Sequence, residues 1–359
     1  MAEHRFIIPS YEHELTAGIS AYRSPSNIAL VKYWGKYGEQ LPKNASISFT
    51  LTNCHTNTTL TYKEKSTKGF DFQVYLDGKR EESFEPKIEK FFHRITQYLP
   101  FLEKFTFKIE THNSFPHSSG IASSASGMSA LALCLMKMEQ QMQPEIDTEY
   151  FNEKASFLAR LGSGSACRSI EGDLVVWGEH PDIDGSSNSF GKKYPYQVHE
   201  VFKEYQDTIL LVDKGEKQVS STVGHELMHD HPFAEQRFHQ ANENLSKLIP
   251  VLKNGNLSEF IKIVESEALS LHAMMMTSMP YFILMKPNTL EIINNIWNYR
   301  KQTGSNLCFT LDAGANVHVL YPKKEAATVS KFIENELKPF CKSGEYIEDI
   351  IGFGAQRID

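Results

Sequence analysis

The stretch FPHSSGIASSASG, residues 115–127, lies between a predicted strand at 105–109 and the clearest helical pattern of the chain, at 123–142. Gly120 permits a tight backbone path, and the free N–H groups of a first helical turn favour an anion at that point. The stretch therefore predicts a phosphate-binding loop that leads into a helix. The alternative is a serine-rich loop whose only role is to cap the helix. No Gly-Lys-Ser/Thr follows, so it is not a Walker A loop.

The composition is that of an ordinary globular protein. The chain has 359 residues, of which 41% are hydrophobic and 23% charged, and this length favours two domains. A net charge of -7 gives no general attraction for nucleic acid, so an anionic ligand needs a local cluster of basic groups. The five cysteines form no CxxC pair, which argues against zinc or a disulfide framework and favours reduced thiols in a cytoplasm. The absence of a long apolar run predicts no membrane span.

Strand and helix patterns extend outward from the loop in both directions without regular alternation. This mixture predicts an α+β protein. Alternating or β-branched runs predict strands at 56–62, 70–76, 173–177, 208–212, 308–311 and 317–321. Apolar residues at helical spacing predict helices at 85–98, 147–161, 232–252, 257–276 and 289–302.

A basic and aromatic motif, SPSNIALVKYWGK, occupies residues 24–36. If this run is a single strand, Lys32 and Lys36 lie on one face because side chains alternate with a period of two. Two ammonium groups on one face repel each other unless an anion lies between them, so the motif predicts a diphosphate site. The alternative is a solvated strand face with exposed lysines.

Two further motifs carry polar groups suited to anion or proton chemistry. GSGSACRS, residues 162–169, combines flexible glycines and hydroxyls with Arg168, which can grip a carboxylate or phosphate through two parallel bonds. The alternative is a linker between a helix and a strand. Asp312 follows an apolar strand and precedes Ala313-Gly314, a pattern that is more often a simple turn than a catalytic base.

These motifs resemble those of known proteins. The loop is similar to the GHMP kinase pattern Pro-x-x-x-Gly-Leu-x-Ser-Ser, with Pro116, Gly120, Ser123 and Ser124 in matching positions and Ile121 in place of Leu. Within that superfamily, NIALVKYWGK, GSGSACRS and Asp-Ala-Gly resemble the diphosphomevalonate decarboxylases. Ala45, Thr277 and Ala315 depart from the family pattern, and Thr277 replaces an acid.

The resemblance implies a GHMP kinase-like two-domain α+β fold. Its N-terminal domain would be like the second domain of ribosomal protein S5, its C-terminal domain would be ferredoxin-like, and a deep cleft would separate them. We place these domains at residues 1–197 and 198–359. The first would bind ATP and the second would carry the catalytic aspartate.

The resemblance also implies a reaction and a set of site residues. The reaction is ATP-dependent decarboxylation of mevalonate 5-diphosphate to isopentenyl diphosphate, with ATP and Mg2+ as cofactors. Catalysis would fall to Asp312 as the base, with Lys32, Arg168 and Ser124. Substrate binding would fall to Asn27, Tyr33, Lys36, Ser163, Ser165 and Arg168. ATP binding would fall to Pro116, Ser118, Ser119, Gly120, Ser123 and Ser124. The magnesium ligands are not identified.

Three alternatives remain open at this point. They are a superfamily kinase that stops at a phosphorylated product, a decarboxylase of the monophosphate, and a catalytically dead ligand sensor on the same fold. We expect a cytoplasmic protein that acts on a small molecule and binds neither nucleic acid nor membrane, with a homodimer left open.

Overall fold

The computed structural model describes residues 3–116, 121–214 and 221–359, except for the side chains of Ser221 and Thr222. Three predicted site residues, Ser118, Ser119 and Gly120, lie outside these ranges. The strands are β1 (Ala17–Val31), β2 (Lys36–Tyr37), β3 (Leu41–Pro42), β4 (Ser46–Glu64), β5 (Asp71–Leu76), β6 (Lys79–Arg80), β7 (Phe105–Asn113), β8 (Leu174–Trp177), β9 (Gly191–Lys193), β10 (Gln206–Leu210), β11 (Cys308–Thr310), β12 (Val317–Tyr321), β13 (Tyr346–Ile350) and β14 (Gln356–Arg357). The helices are α1 (Glu85–Ile95), α2 (Ser123–Met142), α3 (Thr148–Gly162), α4 (Ser221–Glu226), α5 (Ala234–Asn254), α6 (Leu257–Met276), α7 (Pro287–Thr303) and α8 (Ala326–Phe332).

The larger sheet of the described chain has eight strands, in the order β14-β1-β4-β7-β5-β6, with β8 paired to β4 and β9 to β8. All of its pairs are antiparallel except β5–β7. β1 and β4 are its long central strands. Two register shifts interrupt their ladder, between Pro25 and Asn27 and between Ala29 and Val31. Such bulges re-aim side chains, and here they lie beside the residues predicted to bind substrate.

The smaller sheet has four antiparallel strands in the order β11-β12-β10-β13. Its strands and helices α5–α7 confirm the α+β class predicted from the sequence. One apolar core joins the two sheets, because Ile28, Ile47 and Phe49 of the larger sheet pack in the same cluster as Ile209 and Leu320 of the smaller sheet. The ends of β1 and β11 are thereby brought to the same region.

Helix α2 begins and ends where its apolar pattern predicts. It is buried along most of its length between β1, β4 and α3, which fits its small N-terminal residues and apolar body. The residue before it, Ala122, has a left-handed backbone (φ 48°), and no side chain caps the helix. The alternative of a capping serine therefore does not apply to the described start of this helix.

Strand β1 ends at Val31, so the prediction of one continuous strand through Lys36 is wrong. Residues 32–35 have no regular structure, and Gly35 adopts φ +102° before the short strand β2 begins at Lys36. A positive φ at this glycine turns the chain, which removes the period-of-two relation between the two lysines. Lys32 and Lys36 consequently meet different neighbours.

Candidate active site

An ion pair between Lys32 and Asp312 joins the two sheets. Lys32 follows β1 and is 2% exposed, and its Nζ lies 3.0 Å from Oδ1 of Asp312, whose side chain is 28% exposed. Burial lowers the pKa of Lys32, whereas the neighbouring Asp312 and Glu267 carboxylates oppose that effect. An ammonium at this distance favours the ionised form of the aspartate. The pair therefore presents a partly open carboxylate with a buried cation behind it.

The backbone of this pair is held by three polar side chains. Lys32 donates its N–H to Oε2 of Glu267 at 2.8 Å, and its carbonyl accepts from Nδ2 of Asn44 at 2.9 Å. Nε2 of His272 donates to the carbonyl of Asp312 at 3.1 Å. His272 is in its neutral form at neutral pH, since burial is the main cause that lowers its pKa to about 4.

Arg168 lies beside the pair, on a short 3-10 helix, Gly164–Ser169, and not on an irregular linker. It is 3% exposed. Its guanidinium donates to Oγ of Ser46 at 2.6 Å and to Oδ1 of Asn27 at 3.4 Å. Among residues 3–116, 121–214 and 221–359, no carboxylate lies within 4.0 Å of it. A buried cation with only neutral partners fits an anionic ligand.

Asn27 connects β1 to the segment that carries Arg168. Its Nδ2 donates to Oγ of Ser169 at 2.8 Å and to the carbonyl of Ser165 at 3.3 Å. These bonds fix the amide so that its oxygen faces Arg168. The structure therefore places Asn27, Ser165 and Arg168 together, with Ser163 at the end of α3 half-buried nearby in the chain.

Tyr33 and Trp34 form an aromatic group with His225 of α4. The His225 ring centroid is 4.2 Å from that of Tyr33 and 4.6 Å from that of Trp34, and its Nδ1 accepts the N–H of Gly35 at 3.0 Å. Burial is the main cause that lowers the pKa of His225 to about 3. The Tyr33 hydroxyl is buried without a hydrogen-bond partner among the described residues. This phenol is a donor that a ligand could use.

Lys36 lies apart from Lys32, half-buried beyond the Gly35 turn. Burial lowers its pKa, the nearby Arg94 and Lys90 of α1 lower it further, and Glu226 raises it. Lys32 and Lys36 therefore do not share one face as predicted. Lys36 instead belongs to a second basic group, with Lys90 and Arg94. Lys36, Lys90 and Arg94 form no ion pair within the described ranges.

A cavity of about 240 Å³ lies at the start of α2, between that helix, α1 and strands β5 and β7. Ser123 and Ser124 line its polar end, and apolar side chains line the rest. The exposed Ser124 hydroxyl accepts from Nζ of Lys87 at 3.0 Å. Ser26 donates to the carbonyl of Ile121 at 2.6 Å, which ties the end of the loop to the residue beside Asn27. Pro116 is exposed at the other end of the loop.

Sequence reasoning missed several of these residues. Glu267 is fully buried. The sequence signal that could have identified it is an acidic residue within the apolar helix α6. His225 and Lys87 carried no such signal. Thr277, which replaces the family's acid, directly follows α6. Its hydroxyl donates to the carbonyl of Ala273 at 2.8 Å and lies 3.2 Å from Nε2 of His231.

The described residues set limits on other ligands. No helix among them is both long and apolar enough to cross a bilayer. Nor do three or more of their His, Cys, Asp or Glu side chains converge as a set of metal ligands. Cys167 beside Arg168 is buried, and burial raises its pKa to about 12, so it is a packed thiol and not a nucleophile.

The two sheets, the loop that leads into α2 and the Lys32–Asp312 pair between the sheets define a GHMP kinase-like two-domain protein. Two family models match this chain. One describes the diphosphomevalonate decarboxylase-like N-terminal domain and matches residues 24–190. The other describes the mevalonate 5-diphosphate decarboxylase C-terminal domain and matches residues 208–351. The chain belongs to the diphosphomevalonate decarboxylase family and is an enzyme.

Individual relatives agree with this assignment over nearly their whole length. The diphosphomevalonate decarboxylase mvd1 of Aspergillus fumigatus is 28% identical over 344 residues, covering 90% of this chain and 83% of the relative. The solved mevalonate diphosphate decarboxylase of Staphylococcus aureus has a TM-score of 0.81 at 27% identity, covering 96% of this chain and 98% of that one. A complex of MDDEF with MVAPP, AMPPCP and magnesium has a TM-score of 0.80 at 28% identity, covering 95% and 100%.

Proposed function

We propose that this enzyme converts ATP and mevalonate 5-diphosphate to ADP, phosphate, carbon dioxide and isopentenyl diphosphate. The observation that carries the proposal is the Lys32–Asp312 pair, 3.0 Å apart, with the buried Arg168 guanidinium beside it. A partly exposed carboxylate next to a cation suits proton abstraction from an alcohol, and a guanidinium without an acidic partner suits a substrate carboxylate. The MDDEF complex contains MVAPP and an ATP analogue, which supports the same pair of substrates.

In the first step, Asp312 accepts the proton of the 3-hydroxyl as that oxygen forms a bond to the γ-phosphorus of ATP. The bond between this phosphorus and the β–γ bridging oxygen breaks, and ADP leaves with that electron pair. Lys32 keeps the carboxylate ionised before the transfer. A tertiary alcohol is a poor nucleophile, so its orientation and deprotonation by Asp312 determine the rate of this step.

In the second step, the C3–O bond breaks and phosphate leaves with its electron pair. The electrons of the bond between C2 and the carboxylate carbon then form the C2–C3 double bond, and carbon dioxide is released. Arg168 holds the carboxylate, with its own orientation fixed by Asn27 and Ser46. This two-point support aligns the breaking bond with the developing charge at C3.

The nucleotide fits the cavity at the start of α2. Its apolar walls suit the adenine, and the α2 N-terminus with Ser123, Ser124 and Lys87 suits the phosphates. Oxygen donors are the ligands that Mg2+ prefers, commonly together with substrate phosphates, so the hydroxyls of Ser123 and Ser124 fit this metal. When bound, magnesium would neutralise charge on the phosphates. Pro116, Ser118, Ser119 and Gly120 belong to the same proposed ATP loop.

The substrate diphosphate is assigned to Tyr33, Lys36, Ser163 and Ser165. The buried phenol of Tyr33 has no partner among the described residues, and Lys36 is cationic and half-buried close to the turn at Gly35. In this proposal Arg168 and Asn27 take the carboxylate end of the substrate, and these four residues take the diphosphate end.

Three broader statements belong to this proposal. We place the domain boundary between β9 and β10, at residues 1–197 and 198–359, and β14 at the end of the second span returns to pair with β1 of the larger sheet. The enzyme is cytoplasmic, consistent with five free, buried thiols. Light scattering tests whether it forms a homodimer.

One coupled assay tests the reaction. Purified enzyme is given ATP and mevalonate 5-diphosphate, and ADP and carbon dioxide are measured together, with mevalonate 5-phosphate as the matched alternative substrate. We expect both products in equal amounts and a clear preference for the diphosphate. ADP without carbon dioxide would identify a kinase, preference for the monophosphate would identify the other decarboxylase, and no turnover would identify a ligand sensor.

A further inference from the structure

The two residues of the Lys32–Asp312 pair come from distant parts of the chain, 280 positions apart. Each lies just after a strand, Lys32 after β1 and Asp312 after β11, in backbone with no regular structure. The Nζ–Oδ1 distance of 3.0 Å therefore depends on whatever fixes these two loop segments relative to each other.

Helix α6 contacts the backbone on both sides of the pair. Glu267 accepts the N–H of Lys32 at 2.8 Å, and His272 donates to the carbonyl of Asp312 at 3.1 Å. The two side chains are five positions apart on one helix, which separates them by about 7.5 Å along its axis. A helix is a rigid spacer, so these two bonds hold the loop segments at a set separation.

The helix itself is held firmly at Glu267. Its carboxylate, fully buried, accepts from Nη1 of Arg237 at 3.0 Å and from Nδ2 of Asn244 at 2.7 Å, and both partners lie on α5. Two positions earlier, Glu265 accepts from Arg300 of α7 at 2.6 Å. Neighbouring helices on two sides thus fix the orientation of α6.

We infer that Glu267 and His272 are positioning residues that set the distance between Lys32 and Asp312. Neither touches the reacting atoms; both act through backbone groups of the two residues that do. This inference rests on the proposed function, because that function makes Asp312 the ionised base and Lys32 its supporting cation.

Within residues 3–116, 121–214 and 221–359, charged and titratable groups approach Asp312 from three elements. Lys32 approaches from the end of β1, Arg168 from the 3-10 helix and His272 from α6. His272 stays neutral above about pH 4, so its own titration does not enter a profile taken from pH 5 to 8. Phosphate groups of both substrates titrate in the same range but do so equally for every variant, so a difference in the acid limb between wild type and His272→Leu reports on the carboxylate and its distance from Lys32.

The test uses His272→Leu, which removes the donor, and His272→Gln, whose amide can reach the same carbonyl. For His272→Leu we expect kcat to fall about 10- to 100-fold with little change in KM, because a small misplacement of a catalytic group is costly. We also expect the acid limb of kcat/KM to move to higher pH, since the carboxylate is protonated more easily away from its ammonium. His272→Gln should restore most of both values.

His231→Leu is the matched control. His231 is also buried and also bonds a backbone carbonyl of α6, that of Met274 at 3.1 Å, but it does not touch Asp312. It should lower the melting temperature and leave the acid limb in place. An unmoved limb in His272→Leu, or a loss that His272→Gln does not restore, would overturn the inference.

The Lys32 side is tested by Glu267→Leu combined with Arg237→Leu, which removes the buried charges together and deprives the Lys32 N–H of its acceptor, with hydrogen exchange of the Lys32 amide as the measurement. We expect faster exchange and the same upward shift of the acid limb. Glu267→Gln, whose amide oxygen can still accept the Lys32 N–H, is the matched control and should keep slow exchange. Unchanged exchange in the double variant would contradict the role of Glu267.

A readout that does not need turnover separates this inference from the proposed function. The Asp312 carboxyl carbon can be titrated by NMR in the wild type, His272→Leu and His272→Gln. If the wild type releases no carbon dioxide, the proposed function fails. The positioning role then stands if the titration still shifts in His272→Leu, and it fails if the titration does not shift.

Discussion

At the scale of single residues, the site combines a buried cation with a partly exposed anion. Removing the Asp312 charge would leave Lys32 as an unpaired ammonium in a place that is 2% exposed. Burial already lowers the pKa of Lys32, so such a variant favours its neutral form. The geometry around the base should survive this change, because His272 bonds the backbone of Asp312 and not its carboxylate.

We predict that Asp312→Asn abolishes release of both ADP and carbon dioxide while substrate binding is nearly retained. Asparagine keeps the shape but cannot take a proton, and loss of a positioned base costs on the order of 100- to 10000-fold. ADP, carbon dioxide and substrate affinity are measured on one purified variant, with the exposed Asp184→Asn as control. ADP formed at the normal rate without carbon dioxide would show that Asp312 acts after phosphoryl transfer.

We predict that Lys36→Ala raises KM for the diphosphate substrate more than it lowers kcat. The half-buried ammonium lies away from the Lys32–Asp312 pair, so it contributes to binding in the ground state and transition state alike. Steady-state kinetics with both substrates varied measures the two constants, and the exposed Lys63→Ala serves as control. A large fall in kcat at constant KM would be inconsistent with a binding role.

Sequence reasoning was strongest where local pattern decides structure and weakest where distant residues meet. The chemistry of Arg168 followed from its residue type and from its neighbours in the motif at 162–169. The contact of Lys32 with Asp312 could not follow from spacing, and only family resemblance suggested it. The prediction that Lys32 and Lys36 share a face was wrong, because Gly35 turns the chain. The alternation of apolar and polar residues in a sequence does not indicate a positive φ at a glycine.

At the scale of secondary structure elements, α2 and α3 pack against each other in the core beside the larger sheet. The bounds of α2 were predicted correctly, since its body is apolar on almost every side and such a helix belongs in a core. Its one buried acid, Glu139, was not predicted to matter. It accepts from Nζ of Lys154 on α3 at 2.6 Å, and both side chains are fully buried.

We predict that Lys154→Met destabilises the enzyme by about 3–5 kcal/mol, because it leaves the Glu139 carboxylate buried without its cation. Tyr11 would remain as the donor to that carboxylate. Urea unfolding followed by circular dichroism measures the loss, and Glu139→Leu combined with Lys154→Met should recover most of it. A single variant as stable as the wild type would mean that the pair contributes no net stability.

At the scale of the whole molecule, contacts between the two sheets hold the site together. Asp349 of β13 accepts the N–H groups of Thr52, Asn53 and Cys54 on β4, at 2.7–2.8 Å. His225 and His272 add bonds on the other side, to Gly35 and Asp312. Both imidazoles hold these bonds in the neutral form, which makes the assembled molecule sensitive to acid.

We predict that the free energy of unfolding falls as pH drops below about 6.5, the ordinary pKa of histidine. The unfolded chain takes up protons there, whereas His272 and His225 in the folded chain resist protonation down to about pH 4 and about pH 3. Urea midpoints measured from pH 7 to 5 should decline, and His225→Asn combined with His272→Gln should flatten the decline. The exposed His239→Asn should not alter it, and an unchanged slope in the double variant would refute the assignment.

The pairing of β14 with β1 could not be predicted from the local sequence, because two exposed residues near the end of the chain have no strand pattern. Its consequence concerns biosynthesis. A ribosome makes β1 early and residues 356–357 after all the other strands described above, so the edge of β1 at Tyr22 and Arg23, which β14 covers, stays open during translation, with unpaired N–H and C=O groups. The nascent N-terminal half can therefore associate edge to edge with other chains until residues 356–357 emerge. A protein fused after residue 359 would lie next to β14, the last strand to pair.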